Sequence, residues 1–182
     1  MRKFFSLTTV ASGAAIGMIL AGVLALFGGA YAKDVVHDQL VPQKIFFSED
    51  ASSLPANLKA YAGEQVDTAS EAKLFANDYI GLHLKETAGG KTYSEVSGAW
   101  MADKGNAELA QQRQTLFMGE TLRGMLLSAW GWGTVGTVAT IAGFVLIGIG
   151  GILLAIPVAA LVADRRRKTA PTPATSTPSP AL

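Results

Sequence analysis

The stretch LFGGAYAKD (residues 26–34) closes an N-terminal run, residues 4–32, that contains no Lys, Arg, Asp or Glu. Ala30-Tyr31-Ala32 has the small-residue pattern of a signal-peptide cleavage site, and cleavage there would make Lys33 the first residue. The apolar core of a signal peptide is about 7–15 residues long, whereas the 29 uncharged residues of this run suffice to cross a bilayer with some tilt. The length favours a retained signal anchor, and cleavage after Ala32 stays the alternative.

The same run carries a small residue at every fourth position. A spacing of four places side chains on one face of a helix, and a face of small side chains lets another membrane helix approach closely. A signal peptide that is removed has no use for such a face. The predicted packing residues are Gly13, Gly17, Ala21, Ala25 and Gly29.

A second uncharged run covers residues 124–163 and is followed by Asp164 and a basic cluster. One crossing needs about 20 residues, and a turn at Gly148–Gly151 would leave too few residues for a return. We therefore predict an interfacial segment followed by one transmembrane helix, Trp132–Val162. Trp130 is expected in the aromatic belt at the outer interface.

The second run has a small-residue stripe of its own. It could pack on the first run of the same chain or on a neighbouring subunit. We favour pairing within the chain, because the tether raises the effective concentration of the partner helix. The residues predicted on this stripe are Gly133, Gly136, Thr140, Gly143 and Gly150.

The charges at the two ends predict the topology. Basic residues near membrane spans stay on the cytoplasmic side, which places residues 1–3 and the basic cluster and Pro/Thr/Ser-rich tail, residues 164–182, in the cytoplasm. Residues 33–123 then lie outside. The expected fold class is a mainly α cell-membrane protein, with two transmembrane helices flanking a small, mostly helical extracytoplasmic domain. The tail is expected to be disordered.

The segment between the runs carries 9 basic and 13 acidic side chains and the chain has no cysteine, so this domain must be held together by packing. From Lys33 onward it is predicted to be extended, with one short β-prone piece at KIFF (44–47). Gly89-Gly90 is predicted to end the first helix of the domain. Helix starts are predicted at Thr68 with Glu71, at Thr92 with Glu95 and at Asn106.

Three pieces of the chain, AYAGEQVD (60–67), IGLHLKETAGGKTYSEV (80–96) and TLRGMLLSAWGWGTVGTVA (121–139), carry a family resemblance. They resemble a poorly characterised actinobacterial two-span membrane-protein family, whose members are often labelled aromatic ring-opening dioxygenases. The resemblance implies a retained first span and no established activity. The residues that carry it are His83, Gly89, Gly90, Lys91, Thr92, Tyr93 and Arg123.

The dioxygenase label does not fit the residues. Non-heme iron in such enzymes is held by two His and one carboxylate, and the two histidines here, His37 and His83, fall in separate predicted elements. GGKT (89–92) lacks the first glycine and the preceding strand of a phosphate-binding loop. We therefore expect no catalytic residues, no cofactor and no metal. Without a basic patch on a folded domain, no nucleic-acid partner is expected.

These observations favour a non-enzymatic scaffold or an accessory subunit of an envelope or respiratory membrane complex. Its expected partners are the lipid bilayer and other membrane proteins or further copies of itself. One alternative is an extracytoplasmic metal-binding or enzymatic module that uses His83 with carboxylates. A further alternative is an extracytoplasmic sensor.

Overall fold

The computed structural model describes residues 2–169, with side chains described from Thr9 to Ala163 and at Arg165 and Arg166. The described chain is mostly helical and contains no strand. Its elements are helix α1 (Arg2–Leu40), short 3-10 turns at Val41–Gln43 and Lys59–Tyr61, α2 (Ala69–Leu74), a π-helical segment (Phe75–Ile80), α3 (Gly81–Thr87), α4 (Tyr93–Ala102) and α5 (Ala107–Thr169). The predicted disordered tail from Ala170 onward and Met1 lie outside the described residues.

The chain divides into two compact units. The first unit takes in α1 up to Leu24 and α5 from Ala142 onward, and the second unit is Ala25–Ile141.

Helices α1 and α5 are both long and apolar enough to cross a membrane. The most apolar window of each is only 11% buried, so neither has the burial of a core helix in a soluble protein. α5 continues through Gly148–Gly151 and past Pro157 without a break, so the second run contains no hairpin turn, as predicted.

The prediction of an extended segment from Lys33 is wrong, since α1 stays helical to Leu40. Val36 and Leu40, four residues apart, are both buried, so one more helical turn places two large apolar side chains in the core. The predicted short strand at KIFF is also absent. A single antiparallel bridge joins Phe46 to Gln65, flanked by the bonds Phe47 N–H to Glu64 O (3.0 Å) and Val66 N–H to Ile45 O (2.8 Å).

The main core of the second unit surrounds Phe47, which is 1% exposed. The Phe47 ring lies 5.4 Å from the ring of Tyr61 and 5.1 Å from that of Phe75, centroid to centroid. Edge-to-face and tilted contacts at such distances are favourable beyond the area that they bury. The buried residues of this cluster are Val36, Leu40, Phe47, Leu54, Leu58, Val66, Ala72, Phe75, Ala76 and Leu126.

A second, smaller cluster contains Leu84, Ala88, Val96 and Leu116. Leu84 lies directly over Gly119 of α5, and a Cβ placed on Gly119 would be 2.5 Å from a Leu84 methyl carbon. Gly119 therefore makes room for the side chain that joins α3 to α5.

The predicted helix starts are confirmed. Thr68 and Glu71 form a reciprocal capping box at α2, and Thr92 and Glu95 form another at α4. At the start of α5, the Leu109 backbone N–H donates to the side-chain oxygen of Asn106 (3.1 Å). Both glycines of Gly89-Gly90 have positive φ (58° and 81°), as expected after the end of α3.

Candidate functional site

The candidate site is the set of close contacts between α1 and α5, which recur in each unit. In the first unit, a Cβ placed on Gly22 would lie 2.7 Å from the carbonyl oxygen of Gly143 and 2.7 Å from Ile147 Cγ1. A Cβ on Gly150 would lie 2.8 Å from the carbonyl oxygen of Ala15. The helices approach each other through backbone atoms, and no side chain larger than hydrogen fits at Gly22 or Gly150 without a shift.

The second unit repeats this arrangement. A Cβ on Gly29 would lie 2.6 Å from the carbonyl oxygen of Gly136 and 2.5 Å from Thr140 Oγ1. A Cβ on Gly136 would in turn lie 2.8 Å from the carbonyl oxygen of Gly29 and 3.2 Å from the Cβ of Ala32. The Thr140 hydroxyl donates to the Gly136 carbonyl of its own helix (2.8 Å), so it adds no polar bond to α1.

The structure brings together part of the predicted packing set. Gly29, Gly136, Thr140 and Gly143 take part in the close contacts, and Gly150 belongs with them. A Cβ on Gly13 or Gly17 would meet no atom within 4 Å, Ala21 is exposed and Ala25 is half-buried.

The buried small residues of each helix are seven apart rather than four. In the first unit these are Ala15 and Gly22 on α1 and Gly143 and Gly150 on α5, and all four are buried. A repeat of seven is the spacing of a left-handed helix pair, whereas a small residue at every fourth position is typical of a right-handed one. Both spacings are present in the sequence of α1. The spacing of seven is the one that small residues of α1 and of α5 share, and this shared spacing is the sequence signal for the observed contacts.

Gly133 has a different neighbour from the one predicted. A Cβ on Gly133 would collide with the Cβ of Ala69, so this glycine lets the start of α2 rest on α5. Beside this contact lies a polar cleft of about 380 Å³ whose lining includes Lys33, Asp34 and His37. His37 Nδ1 is 3.2 Å from the carbonyl oxygen of Asp67, so one ring nitrogen is held by the loop before α2.

The family-like residues around His83 form a helix end and a new helix start. His83 is exposed on α3, and its carbonyl accepts from the Thr87 hydroxyl (2.9 Å). Lys91 is exposed, and the Tyr93 ring rests 5.9 Å from that of Phe117. Capping accounts for Gly89, Gly90 and Thr92, and packing accounts for Tyr93.

Arg123, the last family-like residue, is tied to the π-helical segment. Its guanidinium donates to the side-chain oxygen of Asn77 (3.1 Å) and forms an ion pair with Glu120 (3.2 Å). A Cβ on Gly81 would lie 3.3 Å from Arg123 Nε, so Gly81 gives the side chain its place on α3. The Nε–H is buried without a hydrogen-bond partner.

Three carboxylates of the described chain have a lowered pKa: Asp50, through its hydrogen bonds from Ser52, and the capping-box residues Glu71 and Glu95. Partial burial raises the pKa of Glu71, but bonds from the backbone N–H groups of Asp67 and Thr68 outweigh it and leave the pKa below its ordinary value. The Glu95 pKa is lowered mainly by the Thr92 backbone N–H, with a contribution from the Thr92 hydroxyl. The hydrogen bonds that lower the pKa of Glu71 and Glu95 also stabilise the starts of α2 and α4.

Among the described residues, no group of three or more His, Cys, Asp or Glu side chains is placed to hold a metal ion.

An apolar groove of about 1040 Å³ runs between the later part of α1 and α5 in the second unit. One end is lined by Gly28 and Val135, and the other by Gln43 and Leu122. Sequence reasoning missed this groove, because its two walls are distant in the chain. Its remaining lining residues are Tyr31, Ala32, Val35, Val36, Asp38, Gln39, Leu40, Pro42, Ile45, Met125, Leu126, Ser128, Ala129 and Trp132.

Comparison with family models, with curated proteins and with solved structures finds no match to this chain. The actinobacterial resemblance therefore stays a resemblance.

Proposed function

We propose that this chain is a two-span membrane protein whose role is structural, as a scaffold or accessory subunit of a membrane complex. In this proposal α1 and α5 cross the bilayer, both termini are cytoplasmic, and residues 33–123 form the extracytoplasmic domain. Two features of α1 and α5 together support the proposal. On one face of each helix, glycines let the two backbones come into contact, and on the other faces large apolar side chains are exposed. Phe27 on α1 and Phe144 on α5 are 72% and 64% exposed.

This combination suits a membrane subunit for a physical reason. In lipid there is little hydrophobic drive to pair two helices, so close backbone approach at small residues supplies the attraction. The contacts at Gly22 with Gly143 and at Gly29 with Gly136 are of this kind. The faces left over are compatible with acyl chains or with helices of another subunit.

The pairing of the helices within one chain can be tested by disulfide trapping, since the chain has no cysteine of its own. We expect the Ala32→Cys, Gly136→Cys variant to form an intrachain disulfide in membranes, because the Cβ positions lie 3.2 Å apart, close to the separation that a disulfide needs. Gly28→Cys with Gly136→Cys is the matched control, since a Cβ on Gly28 meets no atom within 4 Å. Crosslinks found only between chains would contradict intrachain pairing.

The topology can be tested with single cysteines in intact cells. A cysteine introduced in place of Ser52, in the proposed outer domain, should react with a membrane-impermeant maleimide, and one in place of Leu182 should react only after permeabilisation. The reverse pattern would contradict the proposed orientation.

The structural role itself is tested by extraction in a mild detergent. We expect either a stoichiometric membrane-protein partner or a defined homo-oligomer to co-purify with the chain. A chain that leaves the membrane as a monomer without partners in every mild detergent tried would contradict a scaffold or subunit role.

A further inference from the structure

The apolar groove of the second unit presents large apolar side chains that no described residue covers. Tyr31, Met125 and Trp132 all line it and are 70%, 67% and 63% exposed. A contiguous apolar surface of this kind marks a binding site.

The position of the groove relative to the bilayer follows from the proposed function, on which this inference depends. Lys33 is the first charged residue after the run 4–32, and its Cγ lies opposite Gly136 of α5, 3.2 Å from a Cβ placed there. The outer membrane surface therefore falls near Tyr31 and Trp132, whose rings suit the interface. Gly28 and Val135 lie just inside this level.

The other end of the groove lies beyond the surface. Asp38 is seven residues past Tyr31, and Met125 is seven residues before Trp132, which at 1.5 Å per residue is about 10 Å along each helix. The groove thus begins in the outer leaflet and continues between the extracytoplasmic parts of α1 and α5.

The polar residues of the lining select the headgroup. Asp38, Gln39 and Gln43 gather at the outer end, and Asp38 is the one ionic side chain among the lining residues. A carboxylate with two neutral amides repels a lone anion and attracts an ammonium group. The apolar inner end suits a hydrocarbon chain.

We propose that the groove holds one bilayer phospholipid with an ethanolamine headgroup, raised about 10 Å out of the leaflet. Its ammonium group lies at Asp38, and an acyl chain passes Val35 and Met125 and returns to the bilayer at Gly28 and Val135. A lipid raised out of the leaflet loses apolar contacts with neighbouring lipids. Burial of its acyl chain in the groove replaces those contacts.

The first experiment measures where acyl chains go. A fluorophore is attached to the single cysteine of Met125→Cys, or to that of Gly124→Cys, which lies at nearly the same height on α5, is exposed and is outside the groove. Both proteins are reconstituted in vesicles containing phosphatidylethanolamine with a nitroxide near the start of one acyl chain. We expect at least twofold stronger quenching at residue 125 than at residue 124.

Equal quenching at the two sites would overturn the proposal. Absent quenching, together with disulfide-linked dimers of the unlabelled Met125→Cys variant, would overturn it in favour of a second copy of the chain in the groove. Vesicle flotation of both proteins is measured in parallel, so that a chain that fails to insert counts against the proposed function and not against the lipid site.

The second experiment tests the headgroup. Native mass spectrometry of the detergent-extracted protein, given equal phosphatidylethanolamine and phosphatidylglycerol, should show at least a threefold preference for the first lipid. Asp38→Asn should remove the preference, and Glu49→Gln, which changes an exposed carboxylate outside the groove, should keep it. A preference unchanged in Asp38→Asn would overturn the assignment of the ammonium group to Asp38.

Discussion

The glycine contacts of α1 with α5 and the core around Phe47 are held together in opposite ways. At Gly29 the space beside the backbone is already taken by the Gly136 carbonyl, so the contact depends on the absence of a side chain. At Phe47 the contact depends on a side chain that fills its space completely. The first should be sensitive to added atoms and the second to removed atoms.

The largest expected effect is that of Phe47→Ala. Removing a buried Phe leaves a cavity among Tyr61, Phe75 and their neighbours, which typically costs about 3–5 kcal/mol. The measurement is the free energy of unfolding in mixed micelles during titration with a denaturing detergent. Phe46→Ala is the control, because Phe46 is 52% exposed, and a loss as large as that of Phe47→Ala would show that the core does not centre on Phe47.

The glycine contacts are tested by two neighbouring residues. Gly29→Ala forces a methyl group against the Gly136 carbonyl and should cost about 1–3 kcal/mol. Gly28→Ala meets no atom within 4 Å and should instead stabilise the helix by up to about 1 kcal/mol through helix propensity. The same titration measures the free energy of unfolding of both variants. If Gly29→Ala also stabilised the protein, the close contact at Gly29 would not be present in the membrane.

These two regions also differ in how far the sequence predicts them. The lengths of α1 and α5 follow from runs without charge, and the capping boxes follow from Thr-x-x-Glu, because both signals are local. The core residues Val36 and Leu40 lie in the segment predicted to be extended, because Pro42 breaks a helix and the uncharged run ends before the charges of Lys33, Asp34 and Asp38. Burial of one face outweighs those charges, which stay exposed on the other.

The choice between spacings of four and seven along α1 cannot be made from α1 alone. Gly17 and Gly22 are equally small, and only the partner helix determines which of them is covered. The groove and the contact of Gly133 with Ala69 likewise depend on segments far apart in the chain.

A smaller effect is expected at Arg123, where the contact is made by polar groups and not by glycine backbone or an aromatic core. Arg123→Met keeps most of the aliphatic side chain but removes the bonds to Asn77 and Glu120. Because the side chain is part-exposed, the loss should be about 1 kcal/mol. Unfolding titrations compare it with Glu120→Gln, which removes the exposed ion pair and should cost less. Equal losses would show that Asn77 contributes nothing.

The smallest effect is expected on acidification. Glu71 and Glu95 have a folded-state pKa below the ordinary value of 4.5, so their contribution to stability is present above about pH 4.5 and is lost as pH falls through the lower folded-state pKa. Helix content followed by circular dichroism should decline in this range. The Glu71→Gln, Glu95→Gln variant keeps a side chain that can bond the cap backbone and should show a smaller decline. An identical decline would assign the acid sensitivity to other groups.

The π-helical segment Phe75–Ile80 has a consequence for insertions and deletions. A π-helical turn contains one residue more than an α-helical turn, so removal of a single residue there would restore an ordinary helix from Ala69 to Thr87. Because the extra residue is held within that one turn, its removal would leave the later side chains of α3 facing as before. Leu84 would keep its place over Gly119, and Gly81 would still face Arg123. The loss of one residue from an ordinary α-helical turn would instead turn every later side chain by about 100° around the helix axis, so the π-helical segment is where α3 tolerates a one-residue deletion.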